Sequence, residues 1–120
     1  MPAREDILEI YIEGHKNQRG FTLYEIVCIT NLPEFKSSYF KIYRRYSQFL
    51  KLHNKIKLFI PILPTFPKKE FRKLRIEVIL VRKDLLTTYL KYLSSLYLKS
   101  DEGDKLWKEE MLNFIISSDY

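Results

Sequence analysis

The 120-residue chain contains one cysteine, three glycines, one tryptophan and two histidines. A single thiol, Cys28, excludes an internal disulfide; set in an apolar run, it reads as a small buried side chain and fits a reducing compartment. No apolar run approaches the ~20 residues needed to span a bilayer. The first residues, "MPAREDILEI", are charged where a secretory signal would be apolar. The protein is therefore expected to be soluble and to meet membranes only peripherally. Nor is there a glycine-rich phosphate loop. His15 and His53 lie far apart without a ligand-spaced partner, and Cys28 has no evident base beside it. These absences argue against an enzyme, a metal site or a cofactor.

Acidic residues are scarce in one stretch. Residues 1–35 and 84–120 each carry a net charge of −3, whereas Lys36 to Lys83 hold fourteen Lys or Arg against only Glu70 and Glu77, a net +12 within the overall +6. A charge so concentrated points to a local anionic partner, the competing reading being a solvated lysine-rich surface. With 46% hydrophobic and 15% aromatic residues, the chain can form one core, and no linker, repeat or low-complexity tract divides it. A single domain over 1–120 is expected.

Periodicity supplies the elements. "ILEIYIEG" alternates, with Leu8, Ile10 and Ile12 on one face and Glu9, Tyr11 and Glu13 on the other; "FTLYEIVCIT" and "SYFKIYRR" are strand-like too. Strands are predicted over about 7–14, 21–30 and 38–45, with a turn region from Gly14 to Gly20. The period then becomes helical: Ser47 is a candidate N-cap, and Phe49, Leu52, His53 and Ile56 form a stripe over about 47–59. "PILPTFP" stops this helix as an extended polyproline-type segment. A basic loop from about Glu70 to Leu80 follows, then helices over about 78–98 and 104–116, with Asp104 a plausible cap. The expected class is α+β: a three-stranded antiparallel sheet packed against a subdomain of three or more helices, with the polyproline segment between the first two.

Candidate binding residues come from cations in unusual settings. Strand alternation sends Arg44 and Arg45 to opposite faces, so they are not expected to share a task. One serves packing or the surface. The other, at a strand end beside the first turn of a helix, can bind an anion with its planar fork and the helix dipole, unless an acid pairs with it. Arg82, four residues before Leu86, falls in the apolar stripe of the long helix, where a charge needs an anionic ligand or an acid from the strands. Lys68 and Lys69 follow stiff prolines that limit their freedom. Arg45, Lys69 and Arg82, with Tyr46 beside the first, have the chemistry of a pocket for a multiply anionic polyol. The prolines Pro61, Pro64 and Pro67 also read as a polyproline ligand for a Src-homology domain. Nucleic acid is not an expected partner, because the aromatics fall mostly on apolar faces.

Three stretches, "RRYSQF" (44–49), "LPTFPKK" (63–69) and "VRKDLLTTYLKYL" (81–93), resemble in order the motifs of the phox-homology (PX) domain, the phosphoinositide-binding module of sorting nexins and oxidase subunits. The similarity spans nearly the whole chain; Gln48 stands where the family often has an acid. The resemblance implies that Arg45 binds the 3-phosphate of an inositol ring, Tyr46 packs under the ring, Lys69 reaches the 1-phosphate, and Arg82 meets the ring hydroxyls opposite the 3-phosphate. It further implies a non-catalytic module that binds phosphatidylinositol 3-phosphate and sits peripherally on endosomal or vacuolar membranes from the cytoplasm. Phe71, Arg72, Lys73, Leu74, Arg75 and Ile76 are candidate membrane contacts, apolar tips among bases.

Overall fold

A computed structural model describes residues 5–117; residues 1–4 and 118–120, the ends of the expected domain, lie outside the described residues. Three strands, β1 (Leu8–Gln18), β2 (Phe21–Thr30) and β3 (Tyr39–Arg45), form an antiparallel meander in the order β1-β2-β3. Helices α1 (Tyr46–Ile56), α2 (Ile76–Lys99) and α3 (Lys105–Ile116) follow, the last preceded by a 3-10 turn over 102–104. The observed class is the expected one: a small sheet, a helical half and an extended proline-bearing segment between α1 and α2.

β1 runs to Gln18, beyond the predicted end at 14. Gly14 does not open the turn. The register slips by one residue between Ile12 and Gly14, and pairing then continues to Gln18 opposite Phe21. A bulge of this kind absorbs an extra residue without ending the ladder. The turn is only Arg19–Gly20, and Gly20 supplies its positive φ of 79°, which costs a glycine nothing.

Ser47 is not the cap of α1. Arg45 is the N-cap, and the Gln48 side chain reaches back to accept a hydrogen bond from the Arg45 N–H at 2.9 Å. A glutamine at the third helical position meets that N–H from inside the helix, so Ser47 lies exposed in the first turn. The helix stops at Ile56 rather than 59. Phe59 N–H and Ile60 N–H both turn back to the Ile56 carbonyl, and Pro61 disfavours a helical conformation at Ile60. α2 starts at Ile76, two residues before the predicted 78, with Glu77 in its first turn where the dipole favours an acid. The preceding loop is shortened to residues 70–75. Asp104 is the N-cap of α3, although its carboxylate accepts from the Asp101 N–H at 3.2 Å.

The inner face of the sheet brings Leu8, Ile10, Ile12, Tyr24, Ile26 and Cys28 against Phe49, Leu52 and Ile56 of α1. Ile79, Leu86, Tyr89, Leu90 and Leu93 of α2 and Trp107, Met111 and Ile115 of α3 complete the core. Each fully buried aliphatic or aromatic side chain stabilises by about 1.5–3 kcal/mol, so α1, carrying Phe49 and Ile56 at full burial, is firmly seated where β3 ends. Burial pushes the Cys28 thiol up to about 12, which makes it an inert core residue rather than a nucleophile.

Candidate headgroup-binding site

The arginines at the β3–α1 junction divide as alternation requires. Arg44 is buried, pairs opposite Tyr24 in the sheet, and reaches across to the end of α3. Its Nε donates to the Phe114 carbonyl at 2.8 Å, one Nη to the Tyr43 carbonyl at 2.7 Å, and the other to the Ser117 carbonyl. A cation there meets the negative end of the helix dipole and carbonyls that the helix leaves unpaired. Arg44 is a structural staple.

Arg45 takes the other face. Its guanidinium lies 4.1 Å from the centre of the Phe21 ring, a cation–π contact. Leu23 pairs opposite Arg45, so Phe21 is its diagonal neighbour on the same sheet face. Among the described residues, no carboxylate lies within ion-pair distance of Arg45, so its fork is available to a ligand. The Arg45 side chain lines a pocket of about 70 Å³ with Phe21, Thr22, Tyr24, Tyr46, Ser47, Lys73 and Arg82.

Arg82 forms the opposite wall. It is 5% exposed, and its guanidinium carbon lies over the Tyr46 ring, 3.8 Å from its centre. One Nη donates to the Lys68 carbonyl at 3.4 Å, and Nε has no hydrogen-bond partner among the described residues. No described acid pairs with it. Removing a cation from water without a counter-charge costs several kcal/mol; a fold that does this at a pocket wall leaves the cation for an anionic or polyhydroxylated ligand. Burial raises the Tyr46 and Tyr24 hydroxyls above the usual tyrosine range, and the Arg82 charge opposes both shifts. Both tyrosines stay neutral near pH 7.

Tyr46 is held on three sides. Its hydroxyl donates to the Pro67 carbonyl at 2.6 Å, Phe66 lies 5.8 Å from its ring, and Arg82 covers one face. Phe66 stacks on His53 at 4.4 Å and meets Tyr89 edge-on at 5.4 Å, while His53 Nδ1 shares a 2.8 Å hydrogen bond with the Tyr89 hydroxyl. The polyproline segment is thereby fastened to α1 and α2. Pro67 is buried, Pro64 half-buried and Pro61 exposed, and the Ile62 carbonyl accepts from Tyr92 at 2.8 Å.

Burial, with Lys57 adding to it, holds His53 below the ordinary histidine range. The unfolded chain therefore binds the proton more readily than the folded one. The neutral ring's contribution to stability is complete above pH 6.5, and it is lost as pH falls below 6.5 through the lower folded-state value. In urea unfolding from pH 7.5 to 5, the wild type is expected to lose stability more steeply than His53→Gln; parallel curves would contradict the assignment.

The pocket thus gathers Arg45, Tyr46 and Arg82. Lys69 is exposed and is not among the lining residues; Lys73 is. Stiff prolines and the family resemblance single out Lys69; the turn over 71–74 in addition brings Lys73 into the lining beside Arg45. Tyr24, Phe21 and Thr22 were likewise missed, because strand alternation marks them only as sheet residues. Among other members of the basic stretch, Lys41 is held by Glu13 and Glu25 at 3.1 and 3.3 Å, and Lys55 by Glu110 at 3.2 Å. In the loop, Phe71 is fully exposed and Leu74 about half exposed, as is Ile76 at the start of α2. An open apolar groove of about 400 Å³ between Phe66, Pro67, Val78 and Val81 adjoins the Arg45 pocket across Arg82.

Comparison with known proteins gives concordant matches. The PX domain family model matches residues 32–104. Sorting nexin-3 of Schizosaccharomyces pombe (strain 972) is 37% identical over 94 residues, a match that spans 72% of this chain and 66% of that relative's length. The X-ray structure of a designed CISK-PX domain superposes with a TM-score of 0.61 at 25% identity, covering 78% of this chain and 92% of that chain. The crystal structure of the mouse SNX19 PX domain with bound sulphate ion gives 0.64 at 23% identity, covering 94% and 99%, a likeness of fold.

Proposed function

The chain belongs to the PX domain family, and we propose that its pocket binds phosphatidylinositol 3-phosphate and thereby holds the protein on endosomal membranes from the cytoplasmic side. Members of this family are phosphoinositide-binding, membrane-targeting modules and generally non-catalytic. The observation that carries the finer reading is the buried Arg82 lining one pocket with Arg45, neither cation having a carboxylate partner among the described residues. In this reading Arg45 grips the 3-phosphate with parallel charge-assisted bonds. The ring rests against Tyr46, and Arg82 donates to ring hydroxyls. Lys73 closes the pocket, while Lys69, exposed beyond its rim, meets the phosphate that joins the headgroup to the glycerol.

The loop supplies a second attachment. Phe71 and Leu74 project from a turn that also bears Arg72, Lys73 and Arg75, so apolar tips enter the interface while bases meet anionic headgroups, about 1 kcal/mol for each base near the surface. Phe71→Ala is expected to weaken binding to vesicles by about tenfold, the value of burying one large side chain partway. It should leave affinity for a soluble short-chain lipid unchanged; equal losses in both assays would place Phe71 in the pocket instead.

The polyproline alternative needs free proline faces, and here Pro67 is buried and Pro64 half-buried. A panel of vesicles matched in total charge, each carrying one singly or multiply phosphorylated inositol lipid, tests the proposal. Strongest binding to phosphatidylinositol 3-phosphate is expected. Equal binding to every lipid would reduce the site to a generic basic surface.

A further inference from the structure

The Tyr24 hydroxyl and Arg82 Nε are buried side-chain atoms that make no hydrogen bond of normal geometry to any described residue, although the Arg82 side chain lies close enough to the Tyr24 hydroxyl to oppose the rise in its pKa. Such atoms are uncommon in folded proteins, and each asks for a reason. Other buried hydroxyls here have partners: Tyr89 is bonded to His53, Ser94 to the Leu90 carbonyl and Tyr97 to Glu34. The Tyr24 ring is fully buried, edge-on to Phe49 at 6.3 Å, so the side chain has no room to swing its oxygen into solvent. Packing explains the ring, and a phenylalanine would serve it equally. The oxygen is left for the pocket, which Tyr24 lines together with Arg82, Arg45 and Lys73.

The two atoms suit a particular third group. Arg82 Nε–H only donates, whereas a neutral tyrosine hydroxyl both donates and accepts. A ligand hydroxyl can accept from Arg82 and donate to Tyr24 at once. A phosphate at the same spot presents chiefly acceptors, which suit Arg82 Nε–H but leave the Tyr24 hydroxyl no donor to accept from.

We propose that Tyr24 is a specificity-determining residue: with Arg82 Nε, its hydroxyl binds an unphosphorylated ring hydroxyl of the inositol headgroup and so selects headgroups without a phosphate on that side of the ring. This rests on the phosphoinositide reading of the pocket.

Calorimetric titration of the protein with dibutanoyl phosphatidylinositol 3-phosphate, its 3,4-bisphosphate and its 3,5-bisphosphate tests it, using wild type and Tyr24→Phe. The variant is expected to bind the monophosphate about three- to tenfold more weakly, the value of one hydrogen bond. Its preference over at least one bisphosphate should shrink by a similar factor, with Tm unchanged or raised. A wild type that binds none of the three overturns the lipid reading and this inference with it. A wild type that binds, beside a variant unchanged in affinity and preference, overturns the role of Tyr24 alone, and so does a lowered Tm with unaltered preference. If the variant fails to fold, the Tyr24 ¹³Cζ resonance of the wild type decides: it should shift on saturation with the monophosphate, and a fixed resonance would refute the contact.

Discussion

Arg45→Ala is expected to abolish sedimentation with vesicles that contain phosphatidylinositol 3-phosphate, while the protein stays folded. Two parallel charge-assisted bonds to one phosphate contribute about 3–6 kcal/mol, a loss of roughly a hundredfold or more in affinity. In the free protein the guanidinium contacts the Phe21 ring and bonds to no carboxylate among the described residues. A partly exposed cation–π contact is worth about 0.5–1 kcal/mol, so Tm should fall by no more than roughly 3–6 °C. Arg45→Lys keeps the charge but not the planar fork, and intermediate binding is expected. Sedimentation of the alanine variant at wild-type levels would remove Arg45 from the site; collapse of its Tm would make it a structural residue.

Its neighbour should behave in the opposite way. Arg44→Ala is expected to cost about 3–5 kcal/mol, because it strips the Phe114, Ser117 and Tyr43 carbonyls of their buried donor at once. Against a typical total of about 5–15 kcal/mol, that is a large share, visible as a urea midpoint far below wild type at an unchanged slope. The remaining folded protein should bind headgroup as the wild type does. Lysine should not rescue, since one ammonium cannot satisfy carbonyls on both β3 and the end of α3. A midpoint close to the wild-type value would show that α3 is held without this staple.

The contrast between two adjacent arginines was legible from the chain alone, because a strand alternates its side chains regardless of what surrounds it. The same holds for the apolar faces of β1 and β2, for the class of fold, and for Arg82, whose four-residue spacing from Leu86 placed a charge in an apolar stripe. Boundaries were less legible. The ladder of β1 continues past Gly14 because β2 offers partners as far as Phe21, a fact about two segments rather than one. The cap of α1 likewise depends on Gln48 turning back toward Arg45.

Composition and periodicity by themselves determined the α+β class, an acid-poor basic stretch from Lys36 to Lys83, and three cations out of their ordinary setting. These are properties of local spacing and charge, which need no tertiary partner. The fold alone decided which groups meet. It buried Arg82 against Tyr46 with no acid among the described residues beside it, brought Lys73 into the pocket lining, fastened the prolines through Phe66 and Pro67, and set Tyr24 in the pocket lining with its hydroxyl unbonded to any described residue. Those contacts join residues more than a dozen positions apart, and only the path of the chain through its turns and loops sets their distances.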